Sequence, residues 1–155
     1  MQNKAWPVPP GPEEWWETYT ALHLWSQIVG KIRLRQMPWI NHSWHVPYYV
    51  TAYGLTTSLI PYGPRAFEIE FDFLEHRLRI TISDGKRRSF SLKSLSVCDF
   101  YNKVFRALDD FGMRISIWPM PVEIPGPVVP FSENDASIFY DENAVERIWR
   151  ALVQI

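Results

Sequence analysis

Phe67, Ile69, Phe71 and Phe73 alternate with Glu68, Glu70 and Asp72. A period of two buries all four apolar side chains together only if the segment is a strand with one face on a core. An all-helical fold is thereby excluded, and the strand needs neighbours. Leu78, Ile80 and Ile82 supply the next apolar face. A two-residue turn at Glu75-His76 sets Asp72 opposite Arg79, Phe71 opposite Ile80 and Ile69 opposite Ile82. With Arg77 and Arg79 beside them, the three acids read as an exposed charge ladder and not as catalytic carboxylates. Asp84-Gly85 marks a second turn, and a three-residue loop with Gly85 left-handed puts Leu78 opposite Phe90 and keeps the buried face continuous over 87–92.

Helical periodicity brackets this hairpin. Over 13–36, Trp15, Tyr19, Leu22, Trp25, Val29 and Ile32 recur at three- and four-residue steps, widened by Trp16, Leu24 and Ile28. Glu13, Glu14 and Glu17 suit the positive end of the helix dipole, Lys31, Arg33 and Arg35 the negative end, and Met37-Pro38 stops it. Ser96 and Asp99 resemble a capping box opening a helix to about 111, where Gly112 ends it. A last helix begins near 141 and carries Val145, Ile148, Trp149, Leu152 and Val153. Further strands are expected over 46–53, 55–60 and 114–118. The expected class is α+β: an antiparallel sheet of about five or six strands with a long N-terminal helix and two further helices packed on it. Residues 1–155 form one domain, with an extended leader over 1–12, a proline-rich wrapping segment over 119–140 and a terminal helix over 141–155.

The net charge of −1 lacks the basic field that nucleic-acid binding requires. The one basic run, Lys86-Arg87-Arg88, reads as a solvated hairpin end. No apolar run is long enough to cross a bilayer, no signal peptide opens the chain, and the lone Cys98 fits a reducing compartment, so a cytoplasmic location is expected, with no membrane and no nucleic-acid partner.

The stretch 39–63 concentrates histidine, asparagine, tryptophan and tyrosine, and the aromatic share of the chain is 15%. On the first helix His23, Gln27 and Lys31 follow one another at four-residue steps along one edge. That edge is either a polar boundary or the wall of a pocket floored by the segment carrying Asn41, His42, Trp44, His45 and Tyr48. Three readings compete. The foremost is a small-molecule-binding or sensing domain, since clefts with aromatic walls and a few convergent polar groups are the usual form of such sites. The second is an interaction module that self-associates through its terminal helix, whose apolar face is unfinished, giving a homo-oligomer. The third is a metal-dependent hydrolase in which His42 and His45 ligate a metal with His23 as a third ligand, although an H-x-x-H pair on a loop sets no fixed geometry. No cofactor is implied, and no motif names a reaction.

The segments ETYTALHLWSQIVGKIRL, PWINHSWHVPYYVTAYGLTTSLIPYG, FEIEFDF and IWPMPVEIP together resemble a bacterial domain-of-unknown-function family. The resemblance spans nearly the whole chain and implies no activity. It does imply a longer pattern in which a diverged second copy follows the last helix, and hence an interface near that helix in a chain holding only the first copy.

Overall fold

A computed structural model of the protein describes residues 7–93 and 95–155. The order of elements is α1 (Pro12–Gln36), β1 (Tyr49–Val50), β2 (Gly54–Thr56), β3 (Ile60–Tyr62), β4 (Arg65–Asp72), β5 (Arg77–Ile82), β6 (Arg87–Ser91), α2 (Val97–Asp110) and α3 (Glu142–Leu152). All strand pairings are antiparallel. The sheet runs β1-β2-β4-β5-β6, with β3 also on β4, so the fold is α+β, with six strands and three α-helices among the described residues. The first six residues of the expected leader lie outside the described ones, and 7–11 form neither helix nor strand.

The alternation in β4 does what its period demands: Phe67, Ile69 and Phe71 are buried, joined on β5 by Leu78, Ile80 and Ile82. The register of the first hairpin differs from expectation by two residues. Asp72 faces Arg77, Phe71 faces Leu78 and Ile69 faces Ile80. Asp72 is the cause: its Oδ1 accepts from the backbone N–H groups of Leu74 and Glu75 at 2.9 and 2.8 Å, closing a four-residue loop in place of a two-residue turn. His76 completes that loop at φ 49°. A slip of two keeps every side chain on its face, so the core is unaffected. The acids are not an exposed ladder either. Asp72 is fully buried with Oδ2 2.7 Å from Arg79 Nη2, Glu70 accepts from Thr51, and Glu68 accepts from Thr56. Burial raises the Glu70 carboxyl above its ordinary value, partly offset by the Thr51 hydroxyl. The second hairpin has the expected register, Leu78 opposite Phe90, with Gly85 at φ 90°.

The strands before β4 are shorter than their composition suggested. Instead of 46–53, only Tyr49–Val50 pairs, and in place of 55–60 there are two fragments, β2 and β3, both on the same edge of β4. Between them Ser58 turns left-handed at φ 58° and the Thr57 hydroxyl stands in for the ladder, accepting from Ile69 N at 3.0 Å. Gly54 begins β2 because nothing larger fits: a Cβ there would lie 1.9 Å from the Phe71 carbonyl oxygen. Residues 114–118 form no strand. Arg114 N donates to the Tyr62 hydroxyl at 3.0 Å, and Ile115 is buried without a ladder.

Pro12 occupies the first turn of α1, and Met37 leaves it extended at ψ 147°. Trp25, Ile28, Val29 and Ile32 are fully buried, whereas Trp16 and Tyr19, expected inside, are exposed. The Ser96 hydroxyl caps α2 by accepting from Asp99 N at 3.0 Å. A stack of three rings joins both helices to the sheet: Trp25 on Phe100 at 5.1 Å, and Phe100 on Phe71 at 5.9 Å. The proline-rich stretch over 119–140 is mostly irregular backbone. It is held by Phe131 N donating to Pro119 O, by buried Phe131, and by the Cys98 thiol donating to Ser132 O at 2.9 Å. α3 is capped by Asp141 and tied to α1 through Thr18, whose hydroxyl donates to Phe139 O and accepts from Asp141 N.

Candidate functional site

Two hollows meet along the exposed flank of α1. The first is an apolar chamber of about 240 Å³. Its wall is Trp15, Tyr19 and Leu22 of α1, its floor Leu55 and Phe71 of the sheet with Phe73 just beyond β4, and its roof Val145, Ile148 and Leu152 of α3. α3 reaches this position because Trp149 is buried with its Nε1–H donating to Thr51 O at 3.1 Å. The face of α3 is therefore largely covered within the chain, with Val153 still exposed.

His23, Ser26 and Tyr48 close one end of the chamber and also line the second hollow, of about 510 Å³, so the two abut. The second continues past Gln27, Gly30, Lys31 and Leu34 of α1, faces Ser43, Val46 and Pro47 across the gap, and ends at Val122 and Glu123. The four-residue steps of His23, Gln27 and Lys31 thus run along one wall from the apolar chamber into the wider space. Burial pushes the Tyr48 phenol well above its ordinary value, and its hydroxyl donates to Ser26 O at 2.7 Å. The Ser26 hydroxyl donates to His23 O at 2.8 Å. Both hydroxyl protons are committed to backbone, leaving oxygens that accept.

Gln27 binds the backbone of Val122 twice, its Nε2 donating to Val122 O at 2.7 Å and its Oε1 accepting from Val122 N at 2.9 Å. This pairing fixes which end of the amide is which, so the contact of 3.1 Å from Gln27 Nε2 to His23 Nε2 is donated by the amide. His23 Nε2 is then an acceptor, and the neutral ring carries its proton on Nδ1. Gln27 is also the anchor of the proline-rich segment. Gln27→Leu should lower stability by about 1–2 kcal/mol through loss of the paired amide contacts. Limited proteolysis should then cut first within 119–130, and an unchanged cleavage pattern would show that the segment is held elsewhere.

Of the residues singled out in the sequence, His23, Gln27, Lys31 and Tyr48 come together. Asn41, His42, Trp44 and His45 line neither hollow. Asn41 and His42 sit exposed on a single 3-10 turn, with His42 at φ 56°, and Trp44 is exposed beside them. His45 is turned inward, 1% exposed, and its Nδ1 accepts from Ile40 N at 3.1 Å, an intra-turn contact that leaves its buried Nε2 without a partner. His42 and His45 therefore occupy different environments. No group of three or more His, Cys, Asp or Glu placed to hold a metal ion occurs among the described residues.

The same segment is bound to α1 by Arg33, a buried guanidinium that donates through Nη1 to Pro47 O and lies 5.2 Å from the Tyr49 ring. The chamber residues on Leu55, Phe73, Val145, Ile148 and Leu152 were not foreseen, since they are brought together only by tertiary packing. Ser26 had a signal in principle, one turn beyond His23 on the same helix face.

No helix among the described residues is long and apolar enough to cross a membrane. No curated protein and no solved structure matches the chain. A family model does, from residue 6 to residue 155, and the chain belongs to that family, DUF5996, a family of unknown function.

Proposed function

We propose that this is a small-molecule-binding domain of a reducing, cytoplasmic compartment, with its ligand's body in the chamber between α1, α3 and the sheet. The observation that carries the reading is the hollow itself: a half-open space of about 240 Å³ walled mostly by apolar side chains, with His23, Ser26 and Tyr48 gathered at one end. An apolar cavity of about 150 Å³ already accepts benzene, so a body somewhat larger than one ring fits. The arrangement has the usual form of a binding site, apolar walls with a few polar groups fixing orientation.

The test is a thermal-shift screen with small apolar and amphipathic compounds on the wild type and on Leu22→Trp, which fills the chamber. A ligand at a hundredfold its Kd stabilises by about 2.7 kcal/mol, raising the melting point of a chain this size by about 5–10 °C. The wild type should respond and Leu22→Trp should not. Equal responses, or none in the wild type, would contradict the reading.

A second reading, self-association, is favoured by one surface. A shallow hollow of about 580 Å³ between Val50 to Ala52 and the end of α3 is lined by Leu152, Val153 and Ile155, and Val50 and Val153 remain about half exposed. Sedimentation of wild type and Val153→Asp tests it: a dimer abolished by the aspartate supports the reading, and a monomeric wild type rejects it.

A further inference from the structure

Resting on the binding reading above, we infer that the ligand is an amphipathic carboxylate, its apolar body in the chamber and its anionic head in the adjoining hollow against Lys31. The geometry supplies a direction. His23, Ser26 and Tyr48 line both spaces and both spaces open outward, so a molecule longer than the first lies over their shared rim toward Gln27 and Lys31.

The hydrogen-bonding capacity left along this rim selects the head. Gln27 is consumed by Val122 and His23, and the Ser26 and Tyr48 protons are consumed by backbone carbonyls. The His23 proton resides on Nδ1, and no protein acceptor meets it among the described residues. Beyond it stands the ammonium of Lys31, half-buried, 4.9 Å from the centre of the Trp118 ring and in no ion pair among the described residues. The cation left in this hollow is thus Lys31, which matches an anionic head. Burial holds the Lys31 ammonium below the ordinary lysine value, as for a cation whose counter-charge the protein does not supply. Glu123 on the far lip is the one acid lining the hollow, and it is exposed, where water and salt screen it.

The probes are octanoate and its uncharged analogue octanol, titrated calorimetrically into wild type, Lys31→Gln, Glu123→Gln and Leu22→Trp. Octanoate should bind wild type about tenfold more tightly than octanol, the ratio expected from one charge-assisted contact. Lys31→Gln should remove that advantage and leave octanol unchanged, Glu123→Gln should leave or slightly increase it, and Leu22→Trp should weaken both probes. If octanol binds as tightly as octanoate, or if Lys31→Gln leaves octanoate unaffected, the anionic head is refuted while the binding reading stands. If neither probe binds wild type, both fall.

Discussion

Trp25→Ala should lower the free energy of unfolding by about 4 kcal/mol, the range for removing a buried aromatic ring from a core. Trp25 is fully buried and stacked at 5.1 Å and 11° on Phe100, which in turn lies nearly parallel to Phe71 at 5.9 Å. Its removal leaves a void at the one place where α1, α2 and the sheet meet ring to ring. Urea denaturation reads the loss as a shift in midpoint at constant slope. The ring matters more than the indole nitrogen, because Nε1 is buried with no hydrogen-bond partner. Trp25→Phe therefore deletes an unsatisfied donor together with part of the ring, and it should cost less than half as much as alanine. A phenylalanine variant as unstable as the alanine one would show that the indole makes a contact this account lacks.

Asp72→Ala should cost about 3 kcal/mol, most of it from the turn. Its Oδ1 holds the N–H groups of Leu74 and Glu75, and its Oδ2 faces Arg79 at 2.7 Å in a Coulombic contact without good hydrogen-bond alignment. Truncation strands two backbone donors and leaves the Arg79 charge without its nearest partner. Asp72→Asn retains an acceptor at Oδ1 but loses the charge and sets its NH2 against Arg79, and with the turn intact it should keep more than half of the stability. Hydrogen exchange at Leu74 and Glu75 separates the contributions: fast in the alanine variant, slow in the asparagine one. Equal losses in both variants would place the stabilisation in the ion pair and not in the turn.

Asp72 also shows where the sequence stopped being legible. Period-two alternation named the strand and its buried face, because face depends on parity alone. Register depends on how the loop closes, and a side chain accepting two backbone N–H groups outcompeted the two-residue turn. The second hairpin was readable because only the three-residue loop keeps Leu78 and Phe90 on one face, and Gly85 supplies its left-handed residue. Residues 46–60 carried strand composition, but Ser58 turns left-handed and Thr57 replaces a ladder bond with its side chain, so pairing breaks into short pieces. Such substitutions of side chain for backbone are invisible to propensity.

The site divides in the same way. His23, Gln27 and Lys31 could be placed on one edge from helical spacing alone, and they do line one wall. His42 and His45 lie on a tight turn whose dihedrals scatter neighbouring side chains, one outward and one into its own backbone. The chamber's roof comes from α3, more than a hundred residues away from α1, and no local pattern announces that packing. The exposure of Trp16 and Tyr19 has a related cause: they stack with each other at 5.6 Å outside the core, and Tyr19 also borders the chamber.

The claim on which the functional account rests is that the space under α3 accepts a ligand. Methyl-resolved NMR during titration with octanoate tests it most directly. The account predicts saturable shifts concentrated at the methyl groups of Leu22, Leu55, Val145, Ile148 and Leu152. Shifts confined to Val50 and Val153, or none at all, would contradict it.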